Sequence, residues 1–155
     1  MKRIILLLML CFCGISAAQT QDDHRMQSFV MKYLQEKGYT ASFDENNDII
    51  FEMGGLSYYI IFQQNPVIYP TTGTYTHIQV ILTVKSPKPL PELIRFVNDY
   101  NCEHYGKLAA YSNNGENRVR AVIESVASTG GQAVYLIKYA LQMFPVIVDN
   151  LKENI

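Results

Sequence analysis

The sequence predicts an α+β fold in which helices pack on one face of an antiparallel sheet. Apolar and polar residues alternate along several short runs, and tight Gly-Gly or Asn-Gly turns join neighbouring runs. This pattern is typical of antiparallel strands. Three other segments carry apolar residues at helical spacing. The expected order is helix, four strands, helix, two strands, helix, which belongs to the α+β class.

The first half of the chain holds one helix and four strands. A helix is expected over residues 23–37, where apolar side chains recur at helical spacing until Gly38 ends it. Polar residues 44–48 and the pair Gly54-Gly55 form the first two turns. The four alternating runs are residues 39–43, 49–53, 56–63 and 77–84. The connection over residues 64–76 is long enough to be functional or mobile.

The second half repeats these signals. Prolines 87, 89 and 91 lead into a helix whose inner stripe includes Leu93, Val97 and Tyr100. An Asn-Gly turn joins strands over residues 107–112 and 118–126. A last helix follows Gly130-Gly131, and Pro145 inside it is expected to kink it or split it in two.

Composition places the chain among ordinary globular domains. It has 155 residues, of which 48% are apolar and 17% charged, with a formal net charge of −1. A disordered chain would have fewer apolar and more charged residues. The small net charge argues against a broad electrostatic contact with nucleic-acid phosphates, so no nucleic-acid partner is expected.

Residues 1–18 are expected to be a signal peptide for export. Residues 2–3 are positive, residues 4–15 are apolar, and small side chains at Ser16 and Ala18 suit a signal peptidase. The apolar run is shorter than the roughly 20 residues that a spanning helix needs. A periplasmic or secreted product with no membrane span is therefore expected.

Removal of the signal would leave residues 19–155 as a single domain. Of the three cysteines in the chain, only Cys102 lies in this part. The domain would therefore contain no internal disulfide, although its compartment would permit one. Its stability must come from the apolar core.

The sequence offers little support for catalysis, a metal or another cofactor. Cys102 and His104 are close in sequence, but His24 and His77 are remote, so a tetrahedral metal site is not expected. Burial of Cys102 in the middle of a helix is the expectation. Residues 44–48 begin like a calcium-binding loop, yet the residues that should follow at its sixth and twelfth positions are missing. No phosphate-binding glycine loop or nucleophile elbow occurs.

The outer face of the predicted sheet is the candidate binding surface. Aromatic, aliphatic and hydrogen-bonding residues are mixed on it, which suits contact with a protein. The apolar members Tyr59, Ile61 and Ile81 are expected to be exposed in a monomer. The simpler interpretation is a solvated sheet face with scattered apolar residues. The candidate partner-binding residues are Tyr59, Ile61, Tyr69, Tyr75, His77, Gln79, Ile81, Arg118 and Arg120.

Two asparagines lie beside the apolar stripe of the middle helix. An unpaired amide in such a place is costly, so at least Asn98 is expected to hydrogen-bond a backbone group near the following hairpin. Asn101 is the second of the pair.

These features resemble the YbjN domain, a bacterial sensory-transduction-regulator-like family. Residues 93–101, which contain Asn98 and Asn101, look like the family's helix with its Asn-x-x-Asn pair. Residues 107–126 look like the hairpin that follows it. The resemblance implies the fold of type III secretion chaperones and a non-enzymatic domain that holds another protein.

The sequence therefore favours an exported, non-catalytic domain that binds a protein or peptide partner, or a second copy of itself. The contact would use the outer sheet face, the loop over residues 64–76 or an exposed strand edge. The alternative is an envelope enzyme or small-ligand protein with a pocket between sheet and helices.

Overall fold

The computed structural model describes residues 21–64, 75–104 and 106–155. It confirms the α+β class and the expected order of elements. The expected signal peptide over residues 1–18 and the candidate Tyr69 lie outside the described residues. The helices are α1 (Gln21–Glu36), α2 (Leu90–Glu103) and α3 (Gly130–Asn154). The strands are β1 (Ala41–Phe43), β2 (Ile49–Met53), β3 (Leu56–Gln64), β4 (Thr76–Ser86), β5 (Lys107–Asn113) and β6 (Glu116–Ala127).

The six strands form one antiparallel sheet in the order β1-β2-β3-β4-β6-β5. Two-residue turns at Gly54-Gly55 and Asn114-Gly115 join β2 to β3 and β5 to β6. All four turn residues have positive φ, which is the conformation that Gly-Gly and Asn-Gly turns supply most readily. These turns fix the register of both hairpins, and hence which side chains share a face.

One face of the sheet, the core face, packs against the helices. The buried side chains of α1, α2 and α3 form a single apolar cluster with those of the core face. Aromatic rings run through this cluster. Phe51 stacks on Tyr58 with ring centroids 5.2 Å apart, and Phe144 of α3 meets Tyr58 edge-on at 5.0 Å. These rings join the last helix to the middle of the sheet.

Helix α3 is continuous through Pro145, so of the two expected effects, a kink or a split, the split is wrong. It runs from Gly130 to Asn154, and two of its residues on either side of Pro145, Phe144 and Ile147, are fully buried. Burial on both sides of the proline outweighs the one backbone hydrogen bond that proline removes. By length and composition α3 could also cross a membrane, but its buried side chains belong to the core.

The expected hydrogen bond between Asn98 and the backbone near the following hairpin is wrong, because Asn98 is exposed. The hydrogen bonds to that backbone are made by Asn101. The Asn101 side chain accepts a hydrogen bond from the backbone N–H of Leu108 and donates one to its C=O, both at 2.8 Å. Because these backbone groups of Leu108 bind a residue of α2, they point away from β6 and toward the free edge of β5. The amide of Asn101 therefore takes the place of a neighbouring strand at this position.

Candidate functional site: the outer face of the sheet

The outer face is the side of the sheet opposite the core face. In the described part of the chain, the helices bury their apolar side chains on the core face. The outer-face positions follow from the strand register and the alternation of burial. On the four neighbouring strands β3, β4, β6 and β5, they are Ser57, Tyr59, Ile61, Gln63, His77, Gln79, Ile81, Thr83, Lys85, Lys107, Ala109, Tyr111, Asn113, Glu116, Arg118, Arg120, Val122, Glu124 and Val126.

Four apolar residues form a continuous row across the outer face, which we call the apolar row. Ile50 of β2 pairs with Tyr59 of β3, Tyr59 with Ile81 of β4, and Ile81 with Val122 of β6. Directly paired side chains lie about 5 Å apart, so each member contacts the next. The row runs perpendicular to the strands across the middle of the sheet.

The expected exposure of the apolar members is only partly correct. Tyr59 is 38% exposed, whereas Ile61 is half-buried and Ile81 is buried, at 7%. Ile81 lies on the central strand β4, where Tyr59 and Val122 flank it on both sides. The side chains of Tyr59 and Val122 shield it even without a covering layer, so Ile81 is a poor position for a surface substitution.

Glu124 organises the polar groups on one side of the apolar row. Its Oε2 accepts a 2.9 Å hydrogen bond from Gln79 Nε2 and lies 3.3 Å from His77 Nε2. The Lys107 ammonium lies 4.0 Å from its other oxygen. The candidates His77 and Gln79 therefore belong to one cluster with an acidic centre.

The opposite side of the row is mainly basic. The Glu116 carboxylate accepts hydrogen bonds from Lys85 at 2.6 Å and Arg118 at 2.7 Å, and these bonds lower its pKa. Arg120 lies over the ring of Tyr111, with its guanidinium carbon 5.3 Å from the ring centroid. Among the ion pairs of the described residues, none involves Arg120. Arg120 therefore presents a cation that a carboxylate could approach.

Seven outer-face residues that take part in these contacts were not among the candidates: Ile50, Lys85, Lys107, Tyr111, Glu116, Val122 and Glu124. Two of them follow from the Asn114-Gly115 turn, because a two-residue turn pairs Tyr111 with Arg118 and brings Glu116 to the end of the same hairpin. Lys85, Val122 and Glu124 follow from the period-two alternation along β4 and β6. Ile50 and Lys107 need the order of strands in the sheet. The candidate Tyr75 lies just before β4 and is 38% exposed.

Cys102 and His104 lie at the C-terminal end of α2. Cys102 is exposed in the last turn of α2, so its expected burial is wrong. The helix face at this position turns away from the core contacts of Val97 and Tyr100. The His104 ring stacks on Tyr100 with centroids 4.1 Å apart and lies just past the helix end. Within the described residues, no three His, Cys, Asp or Glu side chains are grouped to hold a metal ion.

A shallow groove lies between the sheet and the C-terminal end of α3. Its volume is about 350 Å³, and Lys152 contributes a charged side chain to its lining. The other lining residues are Leu56, Val84, Val148, Leu151 and Ile155. Polar groups that could orient a small substrate do not converge there, in contrast to a typical ligand pocket.

Comparison with known proteins adds no relative. No family model matches the chain, and no curated protein matches it. The resemblance to the YbjN domain rests on the sequence motifs alone.

Proposed function

We propose that this protein is an exported, non-catalytic domain that binds a protein or peptide through the outer face of its sheet. The observation that carries this proposal is the apolar row, which lies on the face opposite the helices. Apolar residues at the centre of a surface with polar residues around them are typical of protein interfaces. The YbjN-like motifs are consistent with a domain that holds another protein, and we propose membership of that family.

The strand edges are weaker candidates than the outer face. Strand β1 has three residues, which limits the number of backbone hydrogen bonds that an added strand could form. On the other edge, Asn101 already binds the N–H and C=O of Leu108. Strand addition needs such backbone groups to be free.

Photo-crosslinking from the apolar row tests the proposed function. We expect the photoreactive analogue benzoylphenylalanine, placed at Tyr59 in living cells, to form protein adducts, because Tyr59 is the most exposed member of the row. The matched control is the same replacement at Tyr135, which is 75% exposed on α3 and lies in the helical layer. Mass spectrometry identifies the adducts. Equal adducts at both positions, or none at Tyr59, would show that the outer face binds no protein.

Export is tested by the N-terminus of the protein recovered from outside the cytoplasm. We expect it to begin at Gln19, because Ser16 and Ala18 fit the small-residue positions of a cleavage site. N-terminal sequencing measures this directly. An intact Met1 on the membrane-bound protein would contradict the proposed processing. If the signal is cleaved, Ala18→Arg should block the cleavage.

A further inference from the structure

We infer that the protein bound by the outer face is a second copy of this chain, related by a two-fold axis parallel to the apolar row. This inference rests on the proposed function, since it names the occupant of the same face. Both signs of charge are present on the face. Lys85, Lys107, Arg118 and Arg120 are basic, whereas Glu116 and Glu124 are acidic. A surface with both signs suits a copy of itself better than a strongly acidic or strongly basic partner.

The position of these charges selects the orientation of the axis. A two-fold axis parallel to the row, between two facing sheets, places each row residue against the same residue of the other copy. Positions two residues before the row then face positions two residues after it on the same strand. On β6, whose row member is Val122, these positions are Arg120 and Glu124.

This arrangement pairs opposite charges twice. Glu124 of each copy faces Arg120 of the other, and Arg120 has no carboxylate partner within the described part of its own chain. On β4, the same operation places Gln79 against Thr83 of the other copy, which are both able to hydrogen-bond. The charged and polar groups on β6 and β4 are thus complementary on both sides of the apolar centre. On the edge strand β5, Lys107 extends the line of the row beyond Val122, so the two Lys107 side chains face each other at the rim of the interface.

The other two-fold axis in this plane, parallel to the strands through β4, gives a poorer match. It would exchange β3 with β6 and place Glu124 against Ile61, because both lie in one cross-strand line with Gln79. Covering a carboxylate with an aliphatic side chain removes water without supplying a hydrogen bond. The axis parallel to the row avoids this contact.

The size of the face is compatible with a modest dimer. The four strands from β2 to β6 that carry the row span about 20 Å, and the outer positions of β4 extend about 26 Å along the strand. Each copy would cover roughly 500 Å², or about 1,000 Å² in total, near the lower limit for a specific interface. The sheets would pack with nearly aligned strands, as in β-sandwiches. We therefore expect a dimer with a dissociation constant in the micromolar range.

A charge exchange on β6 tests the inference. Arg120→Glu places a carboxylate opposite Glu124 of the other copy, twice in each dimer. Glu124→Arg instead places a guanidinium group opposite Arg120 of the other copy, again twice in each dimer. Each single substitution should raise the dissociation constant at least about tenfold. The double variant Arg120→Glu/Glu124→Arg restores two opposite-charge pairs and should return it to within about threefold of the original. Arg95→Glu, on the exposed surface of α2, is the control for net charge.

Sedimentation equilibrium of the exported protein measures these constants, and circular dichroism checks that each variant is folded. A dimer that the single substitutions weaken and the double substitution restores supports the inference. A monomer at about 200 µM, or single variants that behave like Arg95→Glu, would overturn it. A monomer that still crosslinks from Tyr59 to a different protein overturns the inference but leaves the proposed function in place. Loss of both dimerisation and specific crosslinking overturns both.

Discussion

Replacing Phe144 by Ala is expected to lower the free energy of unfolding by about 3–5 kcal/mol, the largest effect of any single change considered for this domain. Phe144 is fully buried on α3, and its ring meets Tyr58 edge-on in the middle of the sheet. Its removal leaves a cavity between the two layers, and the neighbouring Pro145 restricts how far the helix can shift to fill it.

Chemical denaturation measures the change. The loss is a large fraction of the 5–15 kcal/mol that holds an ordinary domain folded, so the thermal midpoint should fall by roughly 10 °C or more. Val146→Ala is the matched control, because Val146 is on the same helix but is 51% exposed. Its effect should stay within about 0.5 kcal/mol. Similar losses for the two variants would show that α3 does not dock on the sheet through Phe144.

The order of elements was predictable because the local signals agree with the tertiary packing. The Gly54-Gly55 and Asn114-Gly115 turns need positive φ at both positions, and this need is visible in the sequence. Each turn also sets the register of its hairpin, so the core face follows from period-two alternation. Pro145 is a position where the local sequence does not predict the structure. A proline would interrupt an isolated helix, but α3 stays continuous because buried residues on both sides of Pro145 pack into the core.

The outer face was predictable as a set of residues but not as a surface. Alternation assigns Tyr59 and Ile81 to the same face, yet Tyr59 is partly exposed and Ile81 is buried. The difference depends on which strands flank β4, and that depends on the placement of β6 between β4 and β5. Local sequence carries no information on this long-range choice. The same applies to the cluster around Glu124, whose partners come from β4 and β5.

The asparagine pair shows the same limit within one helix. Asn98 and Asn101 are three residues apart, so they lie near each other on the helix surface, and both flank the apolar stripe. The choice between them depends on where the chain goes after α2 ends at Glu103. The chain enters β5 beside the last turn of α2, and this places Asn101 rather than Asn98 next to Leu108.

Asn101→Ala should lower the free energy of unfolding by about 1–3 kcal/mol, because it removes both hydrogen bonds to the backbone of Leu108. The matched control is Asn98→Ala in the same helix. Asn98 is exposed, and alanine is the better helix former, so this change should be neutral or stabilise by up to about 0.5 kcal/mol. Because both substitutions gain the same helix propensity, the difference between them isolates the contact with β5.

A third variant separates the two hydrogen bonds. In Asn101→Asp the carboxylate still accepts from the N–H of Leu108, but it has no donor for the C=O and places a negative charge beside that oxygen. Asn101→Asp should therefore also be less stable than the original protein near pH 7, where a carboxylate is ionised. Urea denaturation of the three variants gives the comparison, and hydrogen exchange at the Leu108 amide reports the contact directly. Equal stabilities for Asn98→Ala and Asn101→Ala, with unchanged protection of the Leu108 amide, would show that the edge of β5 is held by other contacts.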